Sequence, residues 1–359
     1  MKPTRLKRGD KVAIVSLSSG ILGEPFIKYE LDLGVKRMEE FSLVPVFMNN
    51  SLKGLDFIKN HPEARADDLK QAFADPEIKA IFCAIGGTDS YLTLPHLLND
   101  ETFKQSVKSN PKIFMGFSDS TTTHLMLNKL GLTTFYGQAF LVDIAEFEPD
   151  MLPYSKEAFM YLFNPESNHK INPSKFWYKN RTDYSPAAVG TLREKFEDKK
   201  GYELLQGSGN VQGKLLGGCI EVLAEYIDAG LVENQNEINK TITDCNPFPT
   251  NEEWKNAILL IETSDGLTKP EDYRKIIKQL KSVGVMNQIN GIVVGKPMDE
   301  VYYEEYKQIL KEELAGFNFP ILYNINIGHS YPHTILPLGE VVEIDAESKT
   351  LTIKNNPLN

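Results

Sequence analysis

Cysteine is scarce in this chain: three residues in 359, Cys83, Cys219 and Cys245, an odd number with no CxxC pair. That excludes a disulfide framework and the usual spacing of zinc and redox sites. Cys83 lies in the apolar run IFCAI, the setting of a buried structural thiol. Positive charge is also in deficit, with 39 Lys and Arg against 49 Asp and Glu and a net charge of −10. A binder of nucleic-acid polymers needs a basic face for the phosphate backbone, so that class is not expected. Long apolar stretches are missing too. No apolar run approaches the length of a membrane-spanning helix. In the opening MKPTRLKRGDKVAIVSLSSG the apolar part, VAIVSL, is too short for a signal-peptide core, and no small-residue cleavage site follows. It reads as a first strand. The rest is ordinary: 41% hydrophobic and 25% charged residues exclude disordered and fibrous classes. The length suits two domains. The expectation is a soluble, cytoplasmic protein of enzyme size with no membrane partner.

Organisation follows from alternation. The β-rich runs KVAIVSL (11–17), LVPVFM (43–48), AIFCAI (80–85) and KIFMGF (112–117) are separated by helix-like stretches such as GVKRMEEF and ADDLKQAFAD. Strands alternating with helices predict βαβ units and a parallel sheet covered on both faces. Residues 146–200 break this pattern: one amphipathic helix, then a polar, proline-punctuated stretch with little periodicity, read as a linker and functional loop. Beyond it NVQGKLLGG, AILLIET, GIVVGK and FPILYNINIG are again strand-like, and TILPLGEVVEIDAESKTLTIK predicts an antiparallel hairpin. The division expected is 1–145, 146–200 and 201–359.

In open parallel sheets ligands gather at the carboxyl ends of the strands, so the residues after each run matter most. Gly116-Phe117-Ser118-Asp119-Ser120 follows KIFM and precedes a helix-like run, a strand–turn–helix setting similar to the GxSxG nucleophile elbow, with Ser120 in place of the second glycine. Such a turn exposes Ser118 Oγ and offers the Asp119 N–H to an oxyanion. The same Ser-Asp-Ser-Thr cluster also suits a plain helix N-cap. A serine nucleophile needs a base, and the base needs a carboxylate. Of the six histidines, His329 ends a strand and lies on the turn GHSYPH, and Glu262 has the same placement at the end of AILLIE. The order Ser118, Glu262, His329 is that of Ser…acid…His hydrolases. His333 is a second candidate base, on a proline-stiffened loop. His329 and His333 are four apart, but Pro332 spoils a helix and no Glu lies between them, so no metal is expected. Gly86-Gly87 permits close backbone approach, either to a phosphate or as part of an oxyanion hole. Neither a dinucleotide GxGxxG nor a Walker A loop occurs.

Eight segments taken in order, LKRGDKVAIVSLSS, ARADDL, AIGGTDS, GFSDST, GKLLGGCIEVL, LLIETSD, GIVVGKP and NINIGHSYPH, make the chain similar to the LD-carboxypeptidase family of serine peptidases, which includes a microcin C immunity branch. The resemblance runs nearly end to end. It implies an α/β fold: a Rossmann-like N-terminal domain with a parallel sheet, then a C-terminal mixed α/β domain with a partly barrel-like sheet. It implies a catalytic triad at Ser118, Glu262 and His329, oxyanion donors at the backbone N–H groups of Asp119 and Gly87, no cofactor, and a homodimer with the site near the domain junction. The substrate it implies is a small peptide or a peptidyl nucleotide. The carboxypeptidase branch removes a terminal D-alanine from L,D-bonded wall peptides, whereas the immunity branch cleaves aspartyl-adenylate-type bonds. Phe176-Trp177-Tyr178 in the inserted loop points to the second, with Trp177 placed either to stack on a base or to pack the loop down; Gly86 is a further candidate substrate contact, and Glu221 either faces the substrate or caps the following helix. GGCIEVL departs from the GGN more usual in the carboxypeptidase branch. A reading of another class stays open, a nucleotide- or sugar-binding module without catalysis.

Overall fold

The computed structural model describes residues 1–231 and 234–359. The four N-terminal runs become the strands Lys11–Val15, Val44–Phe47, Ile78–Cys83 and Ile113–Gly116. With Thr134–Tyr136 they form five parallel strands, and the late strand Leu336–Leu338 closes the edge antiparallel to Thr134–Tyr136. Alternation decides which face each side chain takes. Val12, Ile14, Ala80, Phe82, Ile113 and Met115 enter one core, with Met38 and Phe159 from covering helices. Ala13, Val15, Ile81, Cys83 and Phe114 enter the other, against Leu69, Phe73 and Phe103. A sheet whose helical crossovers cover both faces must be apolar on both, which is why these runs read as continuous rather than alternating. Each fully buried Val, Leu, Ile or Phe contributes about 1.5–3 kcal/mol, enough to offset the roughly 1–2 kcal/mol of backbone entropy lost per ordered residue.

The second sheet has eight strands, in the order His169–Ile171, Thr350–Ile353, Val341–Asp345, Asn210–Cys219, Ile258–Glu262, Gly291–Gly295, Ile321–Ile325 and Glu203–Gln206. Asn210–Cys219 is the pivot. Its first half pairs antiparallel with Val341–Asp345, and its second half pairs parallel with Ile258–Glu262. The sheet curls so that Val342, Ile344, Leu351 and Ile353 of the hairpin share one core with Ile258, Leu260, Val293 and Leu322. It does not close: its edge strands, His169–Ile171 and Glu203–Gln206, do not pair with each other. The fold is thus a two-domain mixed α/β structure with an open, curled second sheet. No helix among the described residues is long and apolar enough to cross a membrane.

The segment 146–200 is more structured than its composition suggests. Helix Pro153–Met160 buries Phe159 under the first sheet, and His169–Ile171 extends the second. Phe176–Tyr178 pairs with Lys195–Glu197 in a two-stranded ribbon of its own. The sixteen residues between those strands are held by charge rather than by an apolar face. Arg193 Nε donates to the buried Glu146 carboxylate at 2.7 Å, and Arg181 reaches the same carboxylate at 3.3 Å. At the base of the ribbon the buried Lys296 ammonium donates to Asp198 at 3.0 Å and to Glu300 at 2.7 Å. Three-residue strands and buried ion pairs leave no periodic signature, so the sequence pattern misses them.

Candidate active site

The strand Ile113–Gly116 ends in a sharp turn at Ser118, whose φ of +61° lies in the left-handed region. A non-glycine residue there stores about 1–3 kcal/mol of strain, held by surrounding structure. The turn packs tightly. A Cβ on Gly116 would lie 2.8 Å from Ser120 Oγ and 2.9 Å from Cys83 Sγ. The helix Thr121–Lys129 follows directly. His124 on that helix is buried, with Nε2 on the Gly116 carbonyl at 3.0 Å and Nδ1 on Thr134 Oγ1 at 2.8 Å. Burial pushes its pKa down to about 3, so it is a neutral core histidine bracing the strand end.

The second sheet delivers the partners. Glu262 ends the strand Ile258–Glu262, fully buried, and His329 follows the strand Ile321–Ile325 on the GHS turn. His329 Nε2 lies 3.0 Å from Ser118 Oγ, and Nδ1 lies 2.8 Å from Glu262 Oε2. Because a carboxylate only accepts, Nδ1 carries the hydrogen and the neutral ring turns its lone pair on Nε2 towards the serine. Gly328, at φ +92°, makes this approach possible: a Cβ there would collide with the Glu262 carboxylate. On the His329 pKa burial acts most strongly and downward, yet the Glu262 charge and hydrogen bond, helped by Asp265 and Glu221, leave it above 6.5.

Sequence reasoning missed the group that joins the two sheets. Tyr136, buried at the end of Thr134–Tyr136, donates its hydroxyl to Glu262 Oε1 at 2.6 Å and accepts the Ser118 N–H at 3.0 Å. Burial and the Glu262 charge hold its pKa well above 10, so it stays a donor. No short motif surrounds it. The available signal was the demand itself, since a fully buried carboxylate needs a second donor besides its histidine. Replacing Tyr136 by Phe strands both Glu262 Oε1 and the Ser118 N–H, and is expected to cost about 1.5–3 kcal/mol of unfolding free energy in urea titrations. A change under about 0.5 kcal/mol would show that water takes over both bonds.

With the Ser118 N–H occupied by Tyr136, the N–H groups of Asp119 and Gly87 have no acceptor among the described residues. The Gly86-Gly87 turn lies against the serine: a Cβ on Gly86 would sit 3.1 Å from Ser118 Oγ and 3.5 Å from the Asp119 nitrogen. Ser118, His329, Gly86 and Gly87 all border one cavity of about 910 Å³, within the range of small-molecule sites.

Two of the anticipated substrate contacts stand elsewhere. Trp177 does not border the cavity; its ring lies flat on Phe196 across the ribbon, 4.4 Å between centroids and 17° between planes. Stacking between paired strands buries more of both rings than projection into solvent would. The aromatic that this loop does bring to the cavity is Tyr184, half exposed. Glu221 does not border the cavity either, its carboxylate accepting the Ser264 N–H at 3.1 Å and the Thr268 hydroxyl, which fixes the loop after Glu262. His333 is not near enough to Ser118 for a hydrogen bond; its Nδ1 pairs with Asp143 at 2.7 Å.

Comparison with known proteins agrees with this architecture. Residues 12–137 match the LD-carboxypeptidase N-terminal domain and residues 212–344 the LD-carboxypeptidase C-terminal domain. The crystal structure of an MccF-like protein from Streptococcus pneumoniae in complex with AMP is similar at TM-score 0.89 and 46% identity, covering 97% of this chain and 99% of that one. The microcin C7 self-immunity protein MccF of Escherichia coli is 25% identical over 300 residues, 80% of this chain and 77% of its own. A Bacillus subtilis relative, "Probable murein peptide carboxypeptidase", is 26% identical over 360 residues, 98% of this chain and 94% of its own.

Proposed function

The chain belongs to the LD-carboxypeptidase family, and from that premise we propose that it is a serine hydrolase of the MccF-like kind, acting through Ser118, His329 and Glu262. One observation carries this reading: the unbroken chain from Ser118 Oγ through His329 to Glu262, assembled from two sheets at the wall of a single cavity. Ser118 Oγ attacks the scissile carbonyl while His329 Nε2 takes its proton. Glu262 stabilises the resulting imidazolium, and Tyr136 keeps that carboxylate in place. The N–H groups of Asp119 and Gly87 receive the oxyanion. Collapse expels the leaving group, protonated by His329, and water enters by the same route to release the acyl product and restore Ser118. The reading as a binding module without catalysis is the weaker one, because binding alone needs no strained serine aligned with a histidine Nε2.

The substrate we favour is a small acyl nucleotide or peptidyl nucleotide. Support comes from the AMP complex of the relative at 46% identity and from the aromatic lining of the cavity, where Tyr184 and Phe147 present rings beside the Glu146-paired Arg181 and Arg193. A base can stack on the former. The second reading, release of a terminal D-alanine from an L,D-peptide, rests on the murein-peptide relative. Incubating the protein with aspartyl sulfamoyl adenosine and with an L,D-tetrapeptide, and following both by mass spectrometry, decides between them; cleavage of neither overturns the proposal. A homodimer, the cytoplasm and the division at 145 and 200 complete the proposal, the first testable by light scattering.

The pH profile follows from His329. Only its neutral form can accept the serine proton, so kcat/KM falls as pH drops through its pKa. Since Glu262 holds that pKa above 6.5, the acid limb is expected above the ordinary histidine value. An acid limb below pH 6 would assign the base to another group.

A further inference from the structure

His333 is a buried histidine that the mechanism above leaves idle. Its side chain is fully buried, and Nδ1 lies 2.7 Å from Asp143 Oδ1. Asp143 is fixed in turn, its other oxygen accepting the Ala139 N–H at 3.1 Å. The pair repeats the His329–Glu262 arrangement in the same cavity wall, and both histidine rings pack on the Phe117 ring, at 5.1 Å for His329 and 5.2 Å for His333. The difference lies at Nε2. For His329 it meets Ser118; for His333 it is buried and has no hydrogen-bonding partner among the described residues. A carboxylate on Nδ1 makes the neutral ring present Nε2 as an acceptor. Leaving such an atom unpaired is costly, and the residue borders the cavity that ends at Ser118. The ring cannot turn away to find another partner, since Tyr331 packs on it at 4.6 Å and Asp143 would lose its bond.

We propose that His333, oriented by Asp143, is a substrate-binding residue whose Nε2 accepts a hydrogen bond from an N–H group of the substrate, within about three residues of the scissile carbonyl. The spacing suits this: both rings pack on one phenylalanine, so their centroids lie within about 10 Å of each other, a gap that about three extended residues, at roughly 3.3–3.6 Å each, can bridge. An N–H is the donor that aminoacyl and peptidyl groups carry at that distance, and an acceptor on an aromatic wall discriminates against esters and desamino analogues that lack it. The inference deepens the hydrolase reading and rests on it.

The test is a kinetic comparison of paired substrates. One pair is aspartyl sulfamoyl adenosine and its counterpart without the aspartyl amine; the other is an L,D-tetrapeptide and versions singly N-methylated at its amides. The wild type should lose about 10–100-fold in kcat/KM on the partner without the N–H, mainly through KM. His333→Phe keeps the ring packing and removes the acceptor. It should show the same loss on the parent substrate and no further loss on the analogue. His333→Gln, which can place an oxygen near the Nε2 position, should recover part of the preference. If His333→Phe fails to fold with Asp143 unpaired, the Asp143→Asn/His333→Phe double variant takes its place. Undiminished kcat/KM on the parent, or discrimination equal to the wild type, overturns the proposal. Labelling of wild-type Ser118 by a fluorophosphonate separates the two levels. Labelling without N–H dependence overturns the role of His333 alone, and no labelling overturns the hydrolase reading with it.

Discussion

Ser118→Ala should reduce turnover by about 10⁴–10⁶-fold while the protein stays folded and still binds its substrate. The hydroxyl is the atom that forms the acyl-enzyme, and nothing within reach replaces it. The thiols of Cys83 and Cys219 are both buried, and burial pushes both pKa values up; Cys219 is also hydrogen-bonded to Glu221. The structural cost is small, because alanine meets the same left-handed strain at φ +61° as serine does and leaves only a hydroxyl-sized space. Fluorophosphonate labelling should vanish with activity, and the thermal midpoint should move by no more than a few degrees. Residual activity above a tenth of wild type would reject Ser118 as the nucleophile.

Glu262→Gln should be nearly as damaging, about 10⁴-fold in kcat, for a reason written in its partners. Tyr136 donates to Oε1, so the amide carbonyl of a glutamine is recruited by the tyrosine and its NH₂ group turns towards His329. An NH₂ facing Nδ1 forces the tautomer that carries hydrogen on Nε2, and that ring cannot take the serine proton. The charge that stabilises the imidazolium is lost as well. The double variant Tyr136→Phe/Glu262→Gln tests this directly. Freed from the tyrosine, the glutamine can turn its carbonyl to His329, and some activity should return relative to Glu262→Gln alone. A double variant less active than the single would mean that orientation by Tyr136 is not what sets the tautomer.

The strand runs were legible because an apolar stretch that must be covered on both faces leaves a continuous mark in the sequence, and KVAIV, IKAIFC and IFMG each do so. The elbow was legible as glycine and serine at fixed offsets after such a run. Trp177 allowed two readings for a physical reason: three adjacent aromatics in a polar loop can project outward or pack the loop down, and the ribbon pairs Trp177 with Phe196, nineteen positions away, so that the rings satisfy each other. Glu221 was open in the same way. Its position at the start of the helix Ile220–Tyr226 suggested substrate or cap, and its bonds go instead to Ser264 and Thr268, beyond the next strand.

What the sequence by itself determined is the set of local decisions: two successive α/β units, a sharp turn that lifts Ser118, and an acid and a histidine at strand ends in the order Ser, Glu, His. Each depends on residues a few positions apart, where periodicity and turn chemistry act. What only the tertiary structure decided is everything made across the interface of the two sheets. The bond from Ser118 Oγ to His329 spans 211 positions, and the Tyr136–Glu262 bond spans 126. The pairing of Asp143 with His333 and the bare Nε2 it leaves are of the same kind. Hydrogen-bond geometry is set to a few tenths of an ångström by how two cores pack, and no local pattern encodes which buried group will find a partner and which will be left for a ligand.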